Sequence, residues 1–312
     1  MNTLASEVLE PAAGSGGAAA AALTPTRPFY WSVRRELWEN RSIYLAPVCV
    51  AAFAVVALVI HALTMPSHMP GLLGNDPDPA AQNSATTTYR VATLLMLVTA
   101  FVTGAFYSLE ALSSERRDRS ILFWKSLPVS DRTTVLAKAT LPLVVLPVVT
   151  LAAIVAMQLT LFLLSVLALL VQGQSVAPLW QELQLLRMWV VLPYAVVALA
   201  LWHAPVHGFL LLVSGWARRT AALWAVLPLL AIGLIEKLTM DTTNVLAVVR
   251  YRLVGWYVEA FAGPAMAHIP FSPRSILTPA RFFSTPGLWI GLALTAVFLA
   301  GAVRMRRHRE PI

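Results

Sequence analysis

Residues 141–171, LPLVVLPVVTLAAIVAMQLTLFLLSVLALLV, run without a single charged side chain. A helix needs about 20 apolar residues to cross the hydrocarbon core of a bilayer, which is about 30 Å thick. This stretch is therefore long enough to cross a membrane and too long for one straight, upright crossing. Because it contains Pro142 and Pro147, we expect a kink, a tilt or an extension beyond the bilayer to absorb the excess.

Other parts of the chain have the same apolar character. Of all residues 58% are hydrophobic and only 12% are charged, whereas about 25% are charged in a typical soluble domain. This composition excludes a disordered chain, a fibre and an ordinary cytosolic enzyme, and it predicts an all-α polytopic membrane protein. The six predicted transmembrane helices cover about residues 43–63, 91–112, 141–171, 188–213, 221–238 and 286–303.

The basic residues predict the orientation of these spans. Lys and Arg cluster before the first span, between the second and third, between the fourth and fifth, and after the sixth. The loop over residues 64–89 has none and carries Asp76 and Asp78. Because Lys and Arg concentrate in cytoplasmic loops, both termini are predicted to be cytoplasmic. The net charge of +8 then reflects mainly the direction in which the chain inserts into the membrane. Nucleic acid is not an expected partner, because no aromatic stacking platform accompanies the basic residues.

Residues 1–28 differ from the rest in composition. Residues 12–23, AAGSGGAAAAAL, are of low complexity, and the segment lacks the basic start of a secretory signal. We predict a flexible cytoplasmic tail, followed by a single transmembrane domain over residues 29–309. The only cysteine is Cys49, so no intrachain disulfide can form.

An amphipathic pattern precedes the first span. In residues 29–44, FYWSVRRELWENRSIY, apolar side chains recur on one helical face and charged ones on the other. This pattern predicts an N-terminal elbow helix lying in the membrane interface. Two interpretations stay open, a simple anchor or a helix that also contacts a cytoplasmic partner. Its assigned residues are Arg34, Arg35, Leu37 and Trp38.

The loop between spans two and three has a charged beginning and an aromatic middle. Its sequence over residues 115–131 is ERRDRSILFWKSLPVSD, in which Ser130 and Asp131 are expected to cap the helix leading into span three. A short amphipathic helix rich in arginine and aromatic residues is typical of a protein contact surface. Anchoring in the lipid interface is the alternative.

A second non-spanning segment lies between spans five and six. Residues 244–261, NVLAVVRYRLVGWYVEAF, are apolar but are interrupted by Arg250, Arg252 and Glu259. They are too polar for a seventh lipid-facing crossing, and non-helical backbone at membrane depth must be covered by protein. We predict re-entrant or interfacial helices that cap the outer face.

Motifs for catalysis are absent from the sequence. There is no GxxxxGK[ST], H-E-x-x-H or G-x-S-x-G, so we predict no ATPase or other enzymatic site, no cofactor and no metal in this chain. His203 and His207 share a helix face and in principle suit a metal. Pro205 lies between them and no third ligand is near, so a polar lining or a helix contact is favoured. Spans without mid-membrane acids also disfavour a proton-driven transporter.

The combination of these segments resembles the ABC type-2 exporter permeases. Residues 115–131 resemble the family's E-[KR]-x-x-[GR]-[ST]…LP-[VI]-[ST] loop. Residues 202–219, WHAPVHGFLLLVSGWARR, and residues 251–256, YRLVGW, resemble a bacterial subgroup. The resemblance covers residues 29–309.

This resemblance implies a six-helix permease subunit in the bacterial inner (plasma) membrane. It implies pairing with a second copy or a paralogue, contact with membrane lipids, and a separate cytoplasmic ABC ATPase that binds ATP and Mg. The loop between spans two and three would be the coupling helix that docks on this ATPase, together with the elbow helix. Carried over by residue, the docking interface comprises Glu115, Arg116, Arg117, Asp118, Arg119, Ile121, Phe123 and Trp124.

A second function class fits the same pattern. A non-transporting membrane anchor or scaffold subunit of an envelope complex would need the cytoplasmic contact loop but no path for a substrate. The spans are dominated by Leu, Val and Ala, with a few polar groups that serve helix packing equally well. No substrate class follows from them.

Overall fold

The computed structural model describes residues 26–64, 79–118, 129–171, 173, 175–177, 185–217, 220–262 and 276–308, and most of these residues are helical. A π-helical turn, Leu141–Val145, joins the helix Asp131–Thr140 to the helix Leu146–Val171. The short strands β1 (Phe261–Ala262) and β2 (Ile276–Leu277) pair antiparallel. The helices are α1 (Thr26–Glu39), α2 (Ser42–Thr64), α3 (Pro79–Glu110), α4 (Ser113–Arg117), α5 (Asp131–Thr140), α6 (Leu146–Val171), α7 (Leu185–Trp216), α8 (Ala221–Met240), α9 (Asn244–Ala260), α10 (Pro279–Ser284) and α11 (Pro286–His308).

Five helical stretches in the described residues are long and apolar enough to cross a membrane. The pair α1 and α2, bent by 51° at the break between them, passes the same test when taken together, which makes six. The prediction of a helical, multi-pass membrane protein is confirmed at this level. The five stretches are Tyr89–Arg117, Asp131–Val171, Leu186–Trp216, Ala221–Met240 and Pro286–His308.

The helices extend beyond the predicted spans, most of all at their polar ends. The second predicted span begins at residue 91, whereas α3 begins at Pro79. Residues 80–90 are too polar to count as membrane-spanning, yet they contain no proline or glycine to end a helix. Hydropathy therefore locates the hydrocarbon-crossing part of a helix and not the place where its hydrogen bonding ends.

The irregularity expected near Pro142 is present as the π-helical turn. A proline has no N–H to donate and its ring collides with the preceding turn, so the helix widens locally while it continues. The expected cap at the start of α5 is also present. The hydroxyl of Ser130 accepts a hydrogen bond from the backbone N–H of Thr133 at 3.1 Å.

The helix α9 packs against α7 and is not among the stretches that pass the spanning test. The Tyr194 hydroxyl donates to the carbonyl of Ala260 at 3.0 Å, and the Trp202 indole N–H donates to the carbonyl of Tyr251 at 3.3 Å. These contacts place α9 beside residues 194–202, within the length of α7. The polar segment between spans five and six is therefore a packed helix whose backbone carbonyls are partly satisfied by α7.

The largest buried apolar cluster joins α3, α6, α7 and α9. Its fully buried members include Met96, Ile154, Leu192 and Trp202. In contrast, α8 buries only Ala221 and Ala225 and exposes its leucines and isoleucines. Such all-round apolar exposure is unfavourable in water and is expected for a helix surrounded by lipid.

Candidate functional site

The short helix α4 follows α3 directly and is fixed to the end of α7. The backbone N–H groups of Leu112 and Ser113 both donate to the Ser214 hydroxyl, each at 3.0 Å. The Arg116 guanidinium donates through Nη2 to the carbonyls of Ser214 at 2.9 Å and Ala217 at 2.5 Å. The last carbonyls of a helix have no partner within that helix, so Arg116 satisfies groups that would otherwise be unpaired.

Charged side chains from four helices meet beside α4, and we call this group the buried charge cluster. It contains three carboxylates and three cations, so its formal charges cancel. Its members are Arg35 and Glu36 of α1, Glu115 of α4, Asp131 and Lys138 of α5, and Arg306 of α11.

Lys138 and Arg306 are the cations that connect the helices of this cluster. The Lys138 Nζ lies 2.8 Å from Glu36 Oε1 and 3.1 Å from Glu115 Oε1. The Arg306 guanidinium lies 3.1 Å from Glu115 Oε2 and 2.6 Å from Asp131 Oδ1. Glu115 is thus held from two sides, by α5 and by α11.

Burial makes these pairings matter energetically. The side chains of Glu36 and Lys138 are only 1% and 4% exposed, and a buried charge costs several kcal/mol unless it is paired. Burial by itself raises the pKa of the Glu36 carboxyl, but Lys138 and Arg35 lower this pKa by more, so the net shift is downward. The Tyr107 hydroxyl donates to the other Glu36 oxygen at 3.1 Å, so both oxygens of this carboxylate have a partner.

The position of the cluster bears on the number of crossings. The helices α1 and α4 meet in it, so an even number of crossings must separate them. Among the described residues, α2 and α3 lie between them, and α3 belongs to one of the spanning stretches. Counting α2 as a crossing would satisfy this condition and corresponds to the larger of the two possible counts, five or six spans.

The structure divides the predicted docking residues into two groups. Glu115 and Arg116 are buried, at 7% and 2% exposure, and contact other parts of the same chain. Their charges are balanced or hydrogen-bonded within the chain, and their part in a docking interface stays a prediction. Arg117 and Asp118 have exposed side chains, at 73% and 65%. Arg119, Ile121, Phe123 and Trp124 lie outside the described residues.

The residues predicted for the elbow helix lie on opposite faces of α1. Arg35 points inward to the buried charge cluster, and Leu37 packs beside the buried Ile43 and Leu141. Arg34 and Trp38 point outward, and Trp38 is 68% exposed. The helix therefore has an inner face that holds it to the bundle and a free outer face.

The two histidines of α7 make contacts between helices. His203 Nδ1 lies 2.9 Å from the carbonyl oxygen of Leu199, and its Nε2 lies 3.1 Å from that of Leu253 in α9. His207 Nδ1 lies 3.4 Å from the Ser108 hydroxyl of α3. The described residues contain no group of three side chains suited to a metal. The helix-contact interpretation fits these distances.

Sequence reasoning missed Glu36, Lys138 and Arg306 as members of one site. A signal was present for Lys138, the only charged residue in TTVLAKATLPLVV (133–145), which leads into an apolar span. A lone charge at such a place needs a partner if the helix packs against others. The identity of that partner could not be read from the sequence, because Glu36 and Glu115 are distant along the chain.

No family model matches the chain, and no curated protein or solved structure matches it significantly. Function is therefore inferred from the residues and their contacts. The buried charge cluster joins α1, α4, α5 and α11 at one end of the bundle. The hydrogen bonds from Arg116 to the carbonyls of Ser214 and Ala217 connect the end of α7 to the same group. A displacement of α4 would have to move these helices together or break buried ion pairs.

Proposed function

We propose that this chain is the membrane subunit of an ATP-driven exporter, with ATP hydrolysed by a separate cytoplasmic ATPase. The observation that carries the proposal is the attachment of α4 to the bundle. α4 is the beginning of the charged and aromatic loop that resembles the docking loop of ABC type-2 permeases. A partner that pulled on α4 would act on the helix ends through buried contacts.

The difference in burial among the charged residues 115–118 supports this role. Glu115 and Arg116 hold α4 to the chain, and Arg117 and Asp118 remain exposed for a partner. The sequence contains no phosphate-binding loop, so chemical energy would have to come from another protein. On this basis the end of the bundle that carries the buried charge cluster faces the cytoplasm, in agreement with the distribution of Lys and Arg.

The proposal predicts that charge reversal at the exposed positions uncouples the partner. The double variant Arg117→Glu with Asp118→Arg should lower the nucleotide-dependent activity of the reconstituted complex by about tenfold or more, because misplaced like charges at an interface cost several kcal/mol. The measurement is ATP hydrolysis and transport by the chain co-expressed with the ATPase that co-purifies with it. Thermal unfolding of the isolated chain should change little, since exposed substitutions usually alter stability by about 0.5 kcal/mol or less.

A matched control uses the exposed Arg250 of α9, whose neighbour Tyr251 contacts Trp202 in the middle of α7. The variant Arg250→Glu should keep normal coupling. Equal activity of wild type and the Arg117/Asp118 variant would contradict the docking assignment. Failure of any ATPase to co-purify in a nucleotide-dependent way would contradict the exporter itself.

A scaffold subunit is the second candidate function. Movement of the helices relative to one another during the ATPase cycle distinguishes an exporter from a scaffold. Leu109 of α3 and Ala225 of α8 belong to one packed cluster, so a cysteine pair at these positions can report their separation. The only native cysteine is Cys49, and Cys49→Ser provides a clean background. An exporter predicts that crosslinking depends on the nucleotide bound to the partner, and a scaffold predicts that it does not.

A further inference from the structure

The outer face of α1 carries an arginine between two tryptophans. The Arg34 guanidinium carbon lies 5.1 Å from the centre of the Trp31 ring and 5.4 Å from that of the Trp38 ring. Both distances are within the range of a cation–π contact. The two indoles therefore hold the guanidinium in place from both sides before any ligand arrives.

Arg34 differs from its neighbour Arg35 in its polar contacts. Arg35 pairs with Glu36 and lies near Glu39 and Glu115. Within the described part of the chain, Arg34 makes no hydrogen bond or ion pair, and its contacts are with the two rings. A guanidinium has five N–H donors suited to phosphate oxygens, so the arrangement leaves those donors free for an anion.

The surroundings of Arg34 are open and carry aromatic and charged side chains. A groove of about 500 Å³ is lined by Trp31, Arg34, Arg35, Trp38 and Glu39. Trp31 is 56% exposed, Trp38 is 68% exposed, and the neighbouring Tyr30 is 58% exposed. Aromatic rings beside a cation suit an amphiphile with an anionic head and apolar chains, whereas a small soluble anion would gain nothing from the rings.

The position of α1 also favours a lipid. α1 meets α2 at a bend of 51°, and α2 is an apolar helix that begins at Ser42, a few residues after Trp38. Tryptophans at such a place lie at headgroup depth when the helix enters a bilayer. The cytoplasmic leaflet, where this end of the bundle is placed, carries the anionic lipids.

The geometry points to a binding site for an anionic phospholipid on the outer face of α1, in which Arg34 contacts the phosphate and the indoles of Trp31 and Trp38 contact the glycerol and upper acyl chains. The site goes beyond the proposed transport function and does not need an ATPase. It assigns the ligand to Arg34, because Arg35 in the same groove is already paired with Glu36.

The test is titration of the purified full-length chain in detergent with phosphatidylglycerol and with phosphatidylcholine, both carrying brominated acyl chains that quench tryptophan fluorescence. The double variant Trp31→Phe with Trp38→Phe identifies the share of quenching that arises at this face. Arg34→Gln should weaken this share about fivefold for phosphatidylglycerol, the factor expected for one arginine at an anionic surface. It should leave phosphatidylcholine unchanged.

Arg132→Gln, which removes the same charge from another exposed position, is the matched control and should change neither titration. Equal weakening for both lipids would overturn the proposal in favour of a non-selective aromatic anchor. An unchanged phosphatidylglycerol titration in Arg34→Gln would overturn it as well. The ATPase can also be added to the titrations. If it abolished the quenching of Trp31 and Trp38 equally for both lipids, the outer face of α1 would be a binding surface for a protein partner, which would overturn the lipid site.

Discussion

Replacing Lys138 by alanine is expected to lower the free energy of unfolding by about 3 kcal/mol. Removing one partner of a buried ion pair typically costs about 3–5 kcal/mol, because the other charge is left buried. The lower end applies here, since Glu36 keeps Arg35 and Glu115 keeps Arg306. Thermal or denaturant unfolding of the detergent-solubilised chain measures the effect.

Lys237→Ala is the matched control for this prediction. Lys237 also forms an ion pair, with Asp241 four residues later, but its side chain is 53% exposed. An exposed pair of this kind contributes about 0.5 kcal/mol or less. If the two lysine variants unfolded alike, the cluster would have no special energetic role.

A second variant separates the charge from the volume of Lys138. The combination Lys138→Met with Glu36→Gln removes both charges of one buried pair and keeps the side-chain sizes similar. Replacing a whole buried pair is often neutral in stability, so this double variant should recover most of the loss seen in Lys138→Ala. A further loss would indicate packing as the dominant contribution of the lysine.

Trp202→Ala is the other substitution with a large expected effect, a loss of about 3–5 kcal/mol. Trp202 is fully buried in the cluster that joins α7 to α9. Its ring packs under the Arg252 guanidinium at 5.1 Å, and its N–H donates to the carbonyl of Tyr251. Truncation leaves a cavity and removes both of these contacts with α9.

The measurement for Trp202 combines unfolding with hydrogen exchange. Exchange should accelerate in α9 and in α10, whose Phe282 ring packs near the indole. It should remain unchanged in α1, which packs against a different buried cluster. Trp289→Ala is the control, since Trp289 is 58% exposed and loses one hydrogen bond to the Phe283 carbonyl. Its expected cost is about 1 kcal/mol. Protection of α9 that survived in Trp202→Ala would show that other contacts hold this helix.

Prediction from the sequence succeeded where the decisive quantity was local. The apolar spans, the irregularity at Pro142 and the Ser130 cap depend on residues within about one or two helical turns. The predicted spans lie inside α3 and α7, because hydropathy reports contact with lipid and helices continue into polar sequence. The difference between the predicted spans and the helix ends does not change the class of fold.

The candidate site was predicted only in part. The resemblance of residues 115–131 to a docking loop identifies the charged loop, but it does not predict that Glu115 and Arg116 are buried. Their burial depends on Lys138, Arg306 and the carbonyl of Ser214, which come from three other helices. A charged residue is expected at the surface unless it is paired, and pairing at such separations is a property of the folded chain.

The sequence by itself determined that this protein is a bundle of helices able to cross a membrane. Its 58% hydrophobic residues lie in long uncharged runs, which a water-soluble fold could not bury. It also determined the predicted orientation, through the unequal distribution of Lys and Arg. Only the tertiary structure decided which charges face solvent and which hold helices together. The physical reason is that insertion depends on each segment's own composition, whereas the balance of a buried charge depends on partners brought near it by packing.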